Sequence, residues 1–148
     1  MKAESDLAVI FRDDGVAELD LTTFANRPVS SLRAVREVMG RTGSWAVRLV
    51  CNDRFGGVLI QQQPGQSNRL HYHPDSDECW VIMEGTMVWE MEGVRETTVT
   101  KVTKGDIVLV RMGDRHLIRC VGASPAVRFA ITRPDVTHVY AEGEGGPV

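Results

Sequence analysis

RLHYHPDSDECWVIMEGTMVWEME, residues 69–92, decides how the chain is read. In a strand, residues two apart share a face, so His71 and His73 project together while Leu70 and Tyr72 project the other way. Pro74 lacks an amide hydrogen and closes that strand, Asp75, Ser76 and Asp77 favour a turn, and Glu78 opens the next strand. A hairpin returning over the turn can bring the Glu78 carboxylate beside the two imidazoles. Taken alone, the pair reads equally well as surface histidines beside a polar turn.

The flanking sequence continues the strand pattern. WAVRLVC, GVLIQQQ, RLHYH, ECWVIM, TMVWEME, ETTVTKV, DIVLV, HLIRC and AVRFAIT are short, rich in β-branched and aromatic residues, and separated by Pro-Gly, Glu-Gly, Gly-Asp and Ser-Pro breaks. Nine such segments predict an all-β sandwich or barrel, with closure removing exposed edges. Upstream, AVIF and AELDLTTF carry weaker strand signals. SSLRAVREVMG sets Leu32, Val35, Val38 and Met39 at helical spacing, with Ser30 or Ser31 as N-cap and Gly40 as a stop. The expected organisation is an N-terminal arm with one short helix over 1–44, a β-barrel over 45–140 and a flexible tail over 141–148.

At 148 residues the chain has the length of one domain, and its net charge of -3 offers no basic field for nucleic acid. No apolar run is long enough to cross a bilayer, and the N-terminus lacks the pattern of a secretory signal, so a cytoplasmic protein is expected. Cys51, Cys79 and Cys120 are odd in number and widely spaced, which points to free thiols. The chain has only four histidines, and a third, His116, follows the turn RMGDR and becomes reachable if the sheet closes. Three neutral imidazoles and one carboxylate suit one divalent first-row metal: iron, manganese, nickel, cobalt or zinc. His138, alone in TRPDVTHVY, reads as structural or exposed.

Gly65-x5-His71-x-His73-x4-Glu78-x6-Gly85 resembles the first motif of the cupin family, and Gly105-x5-Arg111-x-Gly113-x2-His116 resembles the second. Arg111 replaces the usual proline and Arg119 an asparagine, neither at a ligand position. The resemblance covers about residues 57 to 132. It implies a cupin double-stranded β-helix, a jelly-roll-like barrel, with a metal held by His71, His73, Glu78 and His116. Iron is the first choice.

The same alternation puts Arg69 on the face of His71 and His73, and Trp80 on the face of Glu78. Trp80 reads first as barrel wall and second as a substrate contact. An inward Arg69 must be paired, by an acidic neighbour or by a substrate carboxylate. Gln61 and Arg48 are further polar candidates for the substrate site, Gln63 is another on the same segment, and Arg119 is expected outside the cavity. No acid is clearly aimed inward, which favours redox chemistry at the metal over acid–base isomerisation. A weaker resemblance to 3-hydroxyanthranilate dioxygenases, in which an arginine four residues before a ligand histidine anchors a carboxylate, matches Arg69 before His73. That family has an aspartate where this chain has His71, and its glutamate spacing differs.

The expectation is therefore a metal-dependent oxidoreductase, a mononuclear dioxygenase acting on a small carboxylated or aromatic molecule. The alternatives are a non-oxidative isomerase or lyase and a ligand-binding cupin without catalysis. A small-molecule substrate is the expected partner, with a homodimer made by the N-terminal arm.

Overall fold

The computed structural model describes the backbone of residues 2–4, residue 11, and residues 15–93 and 95–140. The expected tail, 141–148, lies outside the described residues, as do Ala8, Val9 and Ile10 of AVIF. Twelve strands and one helix, α1 (Leu32–Met39), are assigned among the described elements. The strands are β1 (Lys2–Glu4), β2 (Glu18–Asp20), β3 (Trp45–Cys51), β4 (Gly56–Gln62), β5 (His71–Tyr72) and β6 (Glu78–Glu84), then β7 (Thr86–Glu92), β8 (Thr97–Thr103), β9 (Ile107–Val110), β10 (Arg115–Cys120), β11 (Ala126–Thr132) and β12 (His138–Tyr140).

They form two six-stranded sheets, ordered β1-β12-β5-β10-β7-β8 and β2-β3-β4-β11-β6-β9. Among the described strands only β2 pairs in parallel, with β3. All nine strands expected from Trp45 onward are present, in the double-stranded β-helix arrangement. Between the facing sheets lies a core that includes Ile60, Trp80, Ile82, Met87, Ile118 and Cys120. Strict alternation puts them there: in β6 Glu78, Trp80 and Ile82 are buried, and in β10 His116, Ile118 and Cys120.

The β2-to-β9 sheet is covered on its outer face as well. Ser31 caps α1 by accepting the Ala34 N–H at 3.1 Å, and the helix buries Val35 with Phe24, Trp45, Val47, Leu59 and Val127 in a second core. Strands β4 and β11 are therefore buried on both faces, and an apolar residue on them does not by itself mark the barrel interior. The N-terminal arm supplies a strand to each sheet. It ladders onto its own barrel, Lys2 opposite Tyr140 and Glu18 opposite Trp45, so pairing with a second chain is not needed to satisfy it.

Two glycines of the paired motifs are fixed by geometry. Gly85 turns β6 into β7 at φ 83°, and a Cβ there would meet Ala126 Cα at 2.7 Å. Gly113, at φ 89°, donates its N–H to the His73 carbonyl at 2.8 Å, while the Met112 N–H goes to Asp77 Oδ1 at 2.8 Å. The turn before His116 is thereby tied to the turn after His73.

Candidate metal centre

His71 on β5 stands directly opposite His116 on β10 in the antiparallel register, so both imidazoles leave the same face of the sheet. Pro74 ends β5, and the PDSD turn crosses to the other sheet, where Glu78 begins β6. The ring centroids of His71 and His116 are 4.4 Å apart, those of His71 and His73 4.9 Å, and those of His73 and His116 5.2 Å. One nitrogen from each of the three lies within 4.8 Å of the other two. Glu78 Oε1 sits 3.6 Å from His73 Nε2 and 3.7 Å from His116 Nε2.

Each ring is held by its other nitrogen. His71 Nδ1 donates to the Arg69 carbonyl at 2.7 Å, His73 Nδ1 to the Thr137 carbonyl at 3.0 Å and His116 Nδ1 to the Asp114 carbonyl at 2.7 Å. A carbonyl can only accept, so Nδ1 carries the proton and Nε2 keeps its lone pair for the centre. Outer hydrogen bonds of this kind orient metal-ligating histidines. The Thr137 carbonyl is itself set by Asp75, whose carboxylate accepts the Thr137 N–H at 3.2 Å and the hydroxyl at 3.1 Å. Both aspartates of the turn thus fasten segments that carry or orient ligands.

The residues fit a metal. His73 Nε2 and His116 Nε2 are buried with no hydrogen-bond partner, a costly arrangement for polar atoms unless a third group meets their lone pairs. Two ligands about 2.1 Å from an ion and at right angles stand roughly 3 Å apart. The Glu78 contacts, at 3.6 and 3.7 Å, are wider than that by about 0.6–0.7 Å. Burial works against charge at Glu78, but the His116 and His73 side chains beside it hold its carboxyl well below the usual range. Burial alone would lower His73, yet the Glu78 carboxylate beside it raises it. His71 is pushed well below its ordinary value by burial and by the neighbouring His116, His138 and His73.

The four residues expected to contact substrate separate. Trp80 lines the cavity that opens on His71 and Glu78, with its ring 5.6 Å from that of His116. The strand over RLHYH contracts to His71–Tyr72. The Arg69 guanidinium lies 3.6 Å over the ring of Tyr140, which is itself 5.4 Å from the His71 ring, and Arg69 is not among the described residues lining the cavity. Gln61 faces α1, accepting from Arg36 Nε at 2.9 Å and donating to the Gly43 carbonyl at 2.8 Å. Arg48 borders a smaller adjoining cleft that shares Val58, Thr132 and Val136 with the main cavity. A shift of register between Arg48 and Val50 carries it there. Arg119 lies outside the cavity, as expected, its Nη1 3.5 Å from the Gly65 carbonyl.

Three cavity residues were not singled out by the sequence. His138 is buried, not exposed. Its ring stacks 4.9 Å from His71 and meets His73 edge-on at 4.5 Å, and burial, with the neighbouring histidines, drives its pKa down to about 3. Gln62 and Arg128 enter from β4 and β11, joined by Arg128 Nη1 donating to Gln62 Oε1 at 2.6 Å. The cavity encloses about 40 Å³, room for about three waters at roughly 10–15 Å³ each. No helix among the described residues is long and apolar enough to cross a membrane.

Similarity to known proteins agrees with this architecture. The chain is 33% identical over 93 residues to the tetracenomycin polyketide synthase protein TcmJ of Streptomyces glaucescens, a match covering 60% of this chain and 60% of that protein. Among solved structures it is similar to a conserved protein with a double-stranded β-helix domain from Klebsiella pneumoniae. The TM-score there is 0.65 at 21% identity, covering 79% of this chain and 93% of the other. The oxalate decarboxylase of Lactobacillus farciminis, solved as a formate complex, shares the fold at TM-score 0.55 and 19% identity, over 60% of this chain and 27% of that enzyme. Residues 58–132, about half of the chain and the part that carries all four candidate ligands, match the cupin domain, and the chain belongs to the cupin family.

Proposed function

We propose that this chain is a metal-dependent enzyme in which His71, His73, His116 and Glu78 hold one divalent transition ion, with iron as first choice. It acts as a mononuclear dioxygenase on a small carboxylated molecule. The observation that carries the reading is the convergence of three histidines in one tautomer, two of them beside the Glu78 carboxylate and with their Nε2 atoms buried and unpartnered. A six-coordinate ion bound there would keep two positions for a substrate and dioxygen. The chain's own part is to hold the ligands, to exclude bulk water with Val58, Ile60, Trp80 and Val136, and to admit a ligand of few heavy atoms. The size of the cavity favours a short acid over an aromatic one.

His138 favours a second reading. It places a buried neutral imidazole, with Nδ1 unpartnered, beside the ligands, which supplies the inward polar group that isomerase or lyase chemistry needs. Oxygen-electrode traces of ferrous-loaded protein with a panel of two- to four-carbon hydroxy, keto and dicarboxylic acids separate the two. The dioxygenase reading expects substrate-dependent uptake with at least one acid. No uptake with any acid, together with turnover of the same panel under zinc or manganese, would replace it with the non-oxidative reading.

A further inference from the structure

The sheets end in β1, β8, β2 and β9. Strand β2 carries Glu18 and Asp20, and β8 carries Lys101 among threonines, charges of the kind that keep a sheet edge from meeting another chain. Strand β9 is IVLV. Its Val108 and Val110 turn into the core, while Ile107 and Leu109 stand 69% and 55% exposed on the outer face. The register continues that face across the sheet. Leu109 lies opposite Cys79 and Ile107 opposite Val81, and these in turn lie opposite Ile131 and Phe129. All four are half-buried, and no charged side chain interrupts either row.

At Phe129 the same face falls into a groove of about 300 Å³ beside the start of α1, lined by Leu32, Leu49, Val50, Leu59, Met83 and Phe129. Arg27 is the one charged residue among its described lining. The face thus carries an apolar ridge on β9 and an apolar hollow, with β6 between them. A two-fold axis lying in the interface along the strands brings the ridge of one copy over the hollow of the other, and the reverse. That self-complementarity is what an isologous dimer requires, and it selects a second copy of this chain as the occupant. Charge agrees, because Asp106, exposed immediately before the ridge, is opposite in sign to the Arg27 it would approach. From β9 to β3 are four strand spacings, a footprint roughly 20 Å on a side. Two copies meeting over it bury on the order of 1,000 Å² in all, the size at which specific interfaces begin.

We propose that this face is the interface of a symmetric homodimer, in which Ile107 and Leu109 of each copy seat in the groove of the other. The N-terminal arm, laddered onto its own barrel, takes no part, and the dimer does not depend on the metal-enzyme reading.

Sedimentation equilibrium of the full chain, from micromolar to submillimolar concentration, tests it. The wild type is expected to be dimeric. Ile107→Glu combined with Leu109→Glu sets carboxylates against an apolar wall and is expected to raise the dissociation constant at least about a hundredfold. Both positions are exposed, so the circular dichroism spectrum should match the wild type. If this variant does not fold, Ile107→Ser combined with Leu109→Ser serves, with a rise of at least about tenfold expected. Ser30→Trp, which fills the groove and leaves the ridge intact, is expected to dissociate the dimer as well. A wild type that is monomeric throughout the range would overturn the proposal and leave the face to a different protein. A folded variant that dimerises within threefold of the wild type would overturn it too, since copies meeting at another surface or through the arm would give that result.

Discussion

His116→Ala is expected to lower metal affinity by at least about a hundredfold, since loss of an outer hydrogen bond to a ligand alone costs on the order of 10- to 100-fold. The residue is fully buried, and its Nε2 is one of two histidine nitrogens that meet Glu78 Oε1. The lost imidazole leaves the carboxylate with His73 as its single neighbour of this kind, and leaves a void beside Trp80, whose ring lies 5.6 Å away. His73→Ala should behave alike, because His73 is the other histidine that meets Glu78. Elemental analysis after gel filtration reads the effect, with a thermal melt to show that the variants fold. Full metal retention in both variants would refute the ligand assignment.

The second large effect is acid sensitivity of the metal-free chain. An unfolded histidine titrates near 6.5, whereas native His138 is held down to about 3 by burial and its histidine neighbours. Between those values the unfolded state binds a proton that the native state refuses, so stability is present above pH 6.5 and is lost as pH falls through this window. His71 works in the same direction, for the same cause. Glu78, whose carboxyl is lowered, contributes stability above its ordinary range that disappears as pH drops below it. His73, raised by Glu78, opposes them, because its contribution is present at low pH and fades as pH rises.

At about 1.4 kcal/mol per tenfold change in proton affinity, two depressed histidines and one depressed carboxyl outweigh one raised histidine. The unfolding free energy should fall by about 3 kcal/mol or more from pH 7 to pH 4. Urea titrations at half-unit steps of pH measure it. His138→Leu should flatten the upper part of the profile. A profile flat to within about 0.5 kcal/mol in the wild type would contradict the account.

The ligand set was legible because its parts obey local rules. His71 and His73 flank one residue before a proline-terminated turn, Glu78 opens the returning strand, and His116 follows a glycine turn. The substrate wall was less legible, and β4 and β11 explain why. Both strands are buried on two faces, so Leu59, Val127 and Phe129 could serve as barrel core or helix-facing core, and the sequence does not choose between them. They face α1, and the opposite parity brings Gln62 and Arg128 inward. Gln61 and Gln62 are one residue apart, which in a strand reverses the face, so Gln61 meets α1 and Gln62 the cavity. His138 was invisible for another reason: it has no histidine near it in sequence. Only the long-range pairing of β12 with β5, Tyr140 opposite His71, stacks its ring on a ligand. Arg69 precedes the short β5, and its contact with Tyr140 depends on the same long-range pairing.

Anomalous scattering from crystals of protein purified without added metal tests the central claim most directly. A single peak is expected about 2.0–2.2 Å from the Nε2 atoms of His71, His73 and His116 and from a Glu78 oxygen, with an absorption edge that names the element. A peak elsewhere, or one coordinated through Nδ1 of any of these histidines, would contradict it.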